Sequence, residues 1–201
     1  MTRLHDSLLN DPLLILSKAL MSSSNANVTP SAPPATPDAE AAYQALQQAL
    51  APRFAASGAL PVLVGIHSGG AWVAERLHQA LCPKAPIGFL SSAFHRDDFS
   101  SRGLKAGGQQ GSTRIDFPVE GADILLVDDV LYTGRTIRAA LNELFDYGRP
   151  RRVDLAVLVD RGGRELPVHA AMAGCRLELD PSLTLALGRD GDRFVFTMEQ
   201  A

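Results

Sequence analysis

Hydrophobic and polar positions follow two different periods along this chain, and the switches between them mark its elements. "AEAAYQALQQALAPRFA" (39–55) carries apolar residues at helical spacing behind Asp38, a residue type that caps helix N-termini. "LPVLVGI" (60–66) is a short continuous apolar run with β-branched residues, which predicts a strand. It stops at "HSGG" and gives way to "AWVAERLHQAL" (71–81), again at helical period. "PIGFLSSAF" (86–94), "ADILLVDD" (122–129) and "RVDLAVLVD" (152–160) predict a second, third and fourth strand. Between the last two, "TGRTIRAALNELFDYG" (133–148) predicts a helix, with Gly148 where a C-terminal stop belongs. "CRLELD" (175–180) and "DRFVFTM" (192–198) predict shorter strands near the end. Strands alternating with helices argue for an α/β fold, a single domain with a mostly parallel sheet flanked by helices. Ligands of such folds bind at the carboxyl ends of the strands, which places "HSGG", "DDVLYTGRT" and "DRGGRELP" on one rim.

Three segments fall outside this alternation. Residues 22–38, "SSSNANVTPSAPPATPD", hold almost no large apolar side chains and cannot offset their ordering entropy. They predict a flexible N-terminal extension over 1–37 and a folded domain over 38–201. The earlier run "LLNDPLLILSKAL" is broken by Asn10, Asp11 and Pro12, and is too short to span a bilayer. It also lacks a clear basic start and a small-residue cleavage site. His95 to Asp116 is polar, Gly-rich and too long for a mere connection, which predicts a functional lid or a ragged hairpin.

Composition changes this picture little. The chain has 201 residues, 46% of them hydrophobic and 20% charged, and a net charge of −3, so no nucleic-acid partner is forced. Cys82 and Cys175 are far apart and lack metal-ligand spacing, so they read as free thiols of a reducing compartment. A cytoplasmic protein without membrane association is expected.

The chemistry concentrates in "VDDVLYTGRT" (127–136). Asp128 and Asp129 close an apolar run that should be buried, and unpaired buried carboxylates are costly. Vicinal hydroxyls of a ribose, or a Mg²⁺ held directly or through water, would satisfy them. Thr133, Gly134, Arg135 and Thr136 lie where a helix opens, and the free amides and dipole of a helix N-terminus suit a phosphate. Gly134 lets the backbone approach its oxygens. A bland alternative is an N-cap at Thr133 with no ligand. Acids for a diol beside a turn for a phosphate describe a ribose 5-phosphate.

"ILLVDDVLYTGRTI" resembles the signature of the type I phosphoribosyltransferases, which bind 5-phosphoribosyl-1-pyrophosphate (PRPP). With "AVLVDRGGRELPV" (156–168) and "RDDF" (96–99), it is similar to the PyrR family of uracil phosphoribosyltransferases, some of which regulate pyrimidine operons by binding messenger RNA. The resemblance covers roughly residues 40–200. It implies a type I fold with a small hood and a flexible lid loop. Asp128 and Asp129 would hold the ribose hydroxyls, and a Mg²⁺ cofactor directly or through water. Thr133, Gly134, Arg135 and Thr136 would hold the 5′-phosphate. His67, Ser68, Gly69 and Gly70 would form the pyrophosphate loop, although the family often carries Lys and Arg there. Arg96 and Asp97, with Asp98, would belong to the lid. Backbone groups of Val159, Asp160 and Arg161 would read the uracil edge, unless Arg161, Arg164 and Glu165 form only a solvated charge cluster. Hypoxanthine–guanine enzymes usually carry an acid where this chain has Tyr132, which favours a pyrimidine.

The function implied is synthesis of UMP and pyrophosphate from uracil and PRPP, by a homo-oligomer. The alternatives are an RNA-binding regulator of the PyrR type, with or without catalysis, and a phosphoribosyltransferase for another base. RNA is ranked second because the helix over 39–55 carries only Arg53 as a cation, and "GRPRRVD" (148–154) reads as a solvated loop. A PRPP-binding module without catalysis is a further possibility, motivated by the unusual "HSGG" loop.

Overall fold

The computed structural model describes residues 36–56, 60–91 and 111–200. The extension expected over 1–37 lies outside these residues but for its last two positions. The lid residues Arg96, Asp97 and Asp98 also lie outside them. The elements in chain order are α1 (Ala39–Ala55), β1 (Val62–Ile66), α2 (Gly69–Leu81), β2 (Ile87–Leu90), β3 (Asp123–Leu131), α3 (Arg135–Phe145), β4 (Arg152–Asp160), β5 (Met172–Arg176), β6 (Leu183–Asp190) and β7 (Arg193–Gln200).

Asp38 caps α1, its carboxylate accepting from the amides of Glu40 at 2.9 Å and Ala41 at 3.1 Å. Strands β1 to β5 form one sheet in the order β2-β1-β3-β4-β5, with every pair parallel. Leu125 and Val127 of β3 pack with α1 and α2 on one face, whereas Ile124 and Leu126 pack with α3 on the other. Both faces are covered, so the interior of β3 is apolar without alternation. Strands β6 and β7 pair antiparallel as a separate sheet, and Leu185, Leu187, Phe194 and Phe196 bury one side of it against the α1–α2 core.

Four expectations need correction. Strand β3 runs two residues beyond the acid pair, to Leu131. Helix α3 begins at Arg135, not Thr133, with Gly134 at its N-cap in the left-handed region at φ 92°. The run 175–180 is strand only to Arg176, the strand having started earlier at Met172. Strand β6 was not anticipated at all. Beyond the undescribed stretch, Arg114 exchanges backbone hydrogen bonds with Phe89 of β2 at 2.8 and 2.9 Å, an isolated antiparallel bridge; most of the lid or hairpin expected over 95–116 lies outside the described residues. Among the described residues, no helix is long and apolar enough to cross a membrane.

Candidate active site

The sheet order fixes where a ligand can sit. The chain leaves β1 for β2 on one side and returns to β3 on the other, so the connections diverge at the carboxyl ends of β1 and β3. A crevice opens at such a switch point. The last pair of β1 with β3 is Gly65 with Val127, so β1 ends about level with Asp128. Both acids therefore stand at the mouth of the crevice, on a strand that continues past its neighbour.

Asp128 is 5% exposed, and one of its carboxylate oxygens accepts from the Asp129 amide at 3.0 Å. Successive strand residues take opposite faces. Asp129 accordingly lies over the first turn of α2, on the side of Val127. A Cβ added to Gly69 would come within 2.2 Å of Asp129 Oδ2, and one added to Gly70 within 2.5 Å of the Val127 carbonyl oxygen. The glycines of "HSGG" thus have a packing reason, the close approach of α2 to β3. The approach also places a carboxylate beside the positive end of a 13-residue helix. Ser68, at the N-cap, gives no side-chain hydrogen bond to the first-turn amides. The His67–Ser68 peptide bond is cis. The His67 ring lies 5.7 Å from the Phe89 ring, and burial holds its pKa below the ordinary 6.5. The imidazole is therefore neutral near pH 7, and this loop brings no fixed positive charge.

On the other side of the acids, Tyr132, Thr133 and Gly134 lead into α3. Gly134, not Thr133, holds the N-cap position, although the Thr133 hydroxyl still accepts from the Arg135 amide at the helix start, at 3.3 Å. The positive φ of Gly134 and the 3.3 Å from a Cβ there to Val168 Cβ leave little room for a side chain. Arg135 is exposed and donates to Glu165 Oε2 at 2.7 Å. The Thr133 carbonyl accepts from the amides of Glu165 at 3.0 Å and Leu166 at 3.1 Å. The loop after β4 therefore backs the turn after β3.

Val159 and Asp160 end β4, and Arg161 follows it beside Tyr132. Val159 is fully buried in the sheet. The Asp160 carbonyl accepts from the Leu177 amide at 3.0 Å, and the Arg161 amide donates to the Leu131 carbonyl at 3.1 Å. Arg161 is not part of a solvated cluster: it is 4% exposed, and it donates to the carbonyls of Leu183 at 2.8 Å and Asp180 at 3.2 Å. Its guanidinium covers the Tyr132 ring at 4.0 Å. On Gly163, at φ 66°, a Cβ would stand 2.4 Å from the same ring. Tyr132, Arg164 and Glu165 lie in segments that the sequence already placed on the rim; the contacts of Tyr132 with Arg161 and Gly163, and of Glu165 with Arg135, are what it did not reveal.

Residues 38–180 match the model of the phosphoribosyl transferase domain. A protein of Ralstonia nicotianae named bifunctional protein PyrR is 51% identical over 167 residues, covering 81% of this chain and 94% of that protein. The chain belongs to the PyrR family of phosphoribosyltransferases. A second relative of that name, from Nitrosococcus oceani, is 52% identical over 124 residues, covering 61% of this chain and 69% of its own. Among solved structures, a hypoxanthine-guanine phosphoribosyltransferase from Bacillus anthracis aligns with a TM-score of 0.56 at 18% identity. That alignment covers 76% of this chain and 87% of the other, and it shows a shared fold.

Proposed function

We propose that this phosphoribosyltransferase joins uracil to the ribose 5-phosphate of PRPP, releasing UMP and pyrophosphate. One observation carries the reading. Along β3 and its following turn, an acid pair, Asp128 buried and Asp129 half-buried, and a glycine-capped helix N-terminus occur in sequence, at the sheet's switch point. The amides opening α3, with Thr133 and Thr136, take the 5′-phosphate, and Arg135 adds charge from its exposed position. Asp128 and Asp129 accept from the ribose hydroxyls. The amides opening α2, in the His67–Gly70 segment, receive the pyrophosphate. Uracil is assigned to the end of β4 around Val159, Asp160 and Arg161. Tyr132, standing where hypoxanthine–guanine enzymes usually carry an acid, supports a pyrimidine.

In this mechanism the bond from uracil N1 to the anomeric carbon forms as the bond to pyrophosphate breaks. The transition state resembles an oxocarbenium ion, and N1 attacks as the anion or loses its proton on the way. The protein chiefly positions the reactants and stabilises charge. Among the described residues no group of three or more His, Cys, Asp and Glu could hold a metal ion. Two carboxylates fit a Mg²⁺ that shares the oxygens of its substrate, since Mg²⁺ commonly binds one or two carboxylates plus substrate phosphates. When bound it would supply neutralisation of the leaving group's charge. The test is to mix the chain with PRPP, Mg²⁺ and uracil and to look for UMP. Product with hypoxanthine or orotate but not uracil would change the substrate, and no product with any base would defeat catalysis.

The relatives are named bifunctional, which favours a two-activity protein over the purely enzymatic reading placed first by sequence. We infer a second, regulatory activity of the PyrR type, exerted through RNA. Against it stands the exposed face of α1, where Ala41, Gln44, Ala45, Gln48 and Ala49 carry no charge. Arg53 pairs with Asp154 at 2.5 Å, Arg151 with Asp123 at 2.5 Å and Arg152 with Asp154 at 2.9 Å. A gel-shift titration with the upstream leader transcript of the protein's own operon decides. Tight, uridine-nucleotide-sensitive binding supports regulation, and its absence leaves an enzyme alone.

A further inference from the structure

We propose that Arg164 is a positioning residue that aims the backbone amides of the 5′-phosphate loop; this rests on the reading of 133–136 as that loop. The Arg164 guanidinium is half-buried between the loops that follow β3 and β4. Its Nη1 donates to the carbonyls of Leu131 at 3.2 Å, Tyr132 at 2.5 Å and Gly162 at 2.9 Å. Its Nε donates to the Val168 carbonyl at 3.0 Å, and its Nη2 to the Asp160 carboxylate. The next two residues complete the set, because the amides of Glu165 and Leu166 both donate to the Thr133 carbonyl. Three consecutive carbonyls, those of Leu131, Tyr132 and Thr133, are therefore held by the 161–166 segment, that of Leu131 by the Arg161 amide as well as by Arg164.

The consequence follows from the peptide bond. A carbonyl and the N–H of the next residue share one rigid plane and, in a trans peptide, point in opposite directions. Fixing the three carbonyls fixes the amides of Tyr132, Thr133 and Gly134 and turns them away from the 164–166 segment. The charge matters as well. Carbonyl oxygens beside a phosphate dianion would repel it, and a guanidinium bonded to them offsets that repulsion. Lysine cannot substitute, because three donors on a point charge do not match the planar, five-donor fork that reaches all these acceptors. Asp160 anchors the fork on β4, so the end of the strand assigned to the base and the turn assigned to the phosphate are held by one side chain.

The full-length chain tests this with Arg164→Lys and Arg164→Gln, assayed with PRPP and uracil. Hydrogen bonds to a charged group are worth enough that losing this set should raise the KM for PRPP about tenfold or more. The kcat should stay within about threefold, since those carbonyls face the phosphate turn rather than the reacting bond, and the KM for uracil should rise less than that for PRPP, because β4 itself holds Asp160 in place. A merely structural role would lower the active fraction, and so the apparent kcat, while leaving both KM values alone; that result overturns the proposal. If neither variant folds, amide hydrogen exchange is followed in the unaltered chain on adding ribose 5-phosphate. Protection rising together at Tyr132–Thr136 and at Glu165 and Leu166 supports the coupling. Protection confined to the first segment, or to neither, overturns it. An unaltered chain that makes no UMP defeats the underlying reading, whereas an active parent with an indifferent Arg164→Lys defeats the positioning role alone.

Discussion

At the scale of single residues, the site depends on close approach as much as on functional groups. Gly70 has no space for a methyl group, because the Val127 carbonyl stands 2.5 Å from where its Cβ would be. Gly70→Ala should therefore push α2 off β3 and cost roughly 1–3 kcal/mol, the range for overpacking, read as a lowered denaturation midpoint with an unchanged slope. An unchanged midpoint would mean that the helix stands further from the strand than described. Asp129→Asn is nearly isosteric and should leave the fold intact while turnover falls strongly, checked by circular dichroism and UMP formation. Turnover surviving within about threefold would remove this carboxylate from transition-state binding. Arg135→Ala should raise the KM for PRPP only severalfold, because the side chain is exposed and already paired with Glu165. The acids and Gly134 could be read from sequence because their chemistry is local. The Arg135–Glu165 pair and the Arg161–Tyr132 stack could not, since each joins residues about 30 positions apart that only the sheet brings together.

At the scale of elements, one ion pair ties three of them. Arg76 of α2 holds Glu40 of α1 through two hydrogen bonds, at 2.6 and 2.8 Å, and Glu40 accepts from the Phe194 amide of β7 at 2.7 Å. The guanidinium also covers the Tyr43 ring at 4.1 Å and the Phe194 ring at 5.0 Å. Arg76 holds the Glu40 pKa below its ordinary 4.5, against the effect of burial. A carboxylate with a lowered folded-state pKa stabilises the fold above its ordinary value, and that stabilisation is lost as pH falls through the folded value. Thermal melts should thus show the parent above Glu40→Gln at pH 7, with the gap closing on acidification below about 4.5. A gap independent of pH would contradict the assignment. The elements themselves were unevenly readable. Helix α1 and strand β4 match their sequence boundaries at both ends, one because Asp38 caps it and the other because its apolar run is continuous. Strand β6 was missed because "LTLAL" alternates correctly but is built from leucine and alanine, which favour helices. Its inward Leu185 and Leu187 become strand residues by packing on α1 and α2.

At the scale of the whole molecule, the α/β class was readable because alternating strands and helices admit few arrangements. The switch point between β1 and β3 was not, since strand order depends on which strands pair, and no local pattern records that. This order turns three separate rim segments into one crevice with two helix N-termini opening beside it. The central claim is that the crevice grips a sugar by its diol and its 5′-phosphate together. Isothermal titration of PRPP with Mg²⁺ into the unaltered chain, and into Asp128→Asn/Asp129→Asn, tests it most directly. Saturable heat with one site per chain is expected in the parent, and at least about a tenfold weaker affinity in the variant, from losing charged hydrogen bonds. No heat in the parent, or equal affinities in the two proteins, would contradict it.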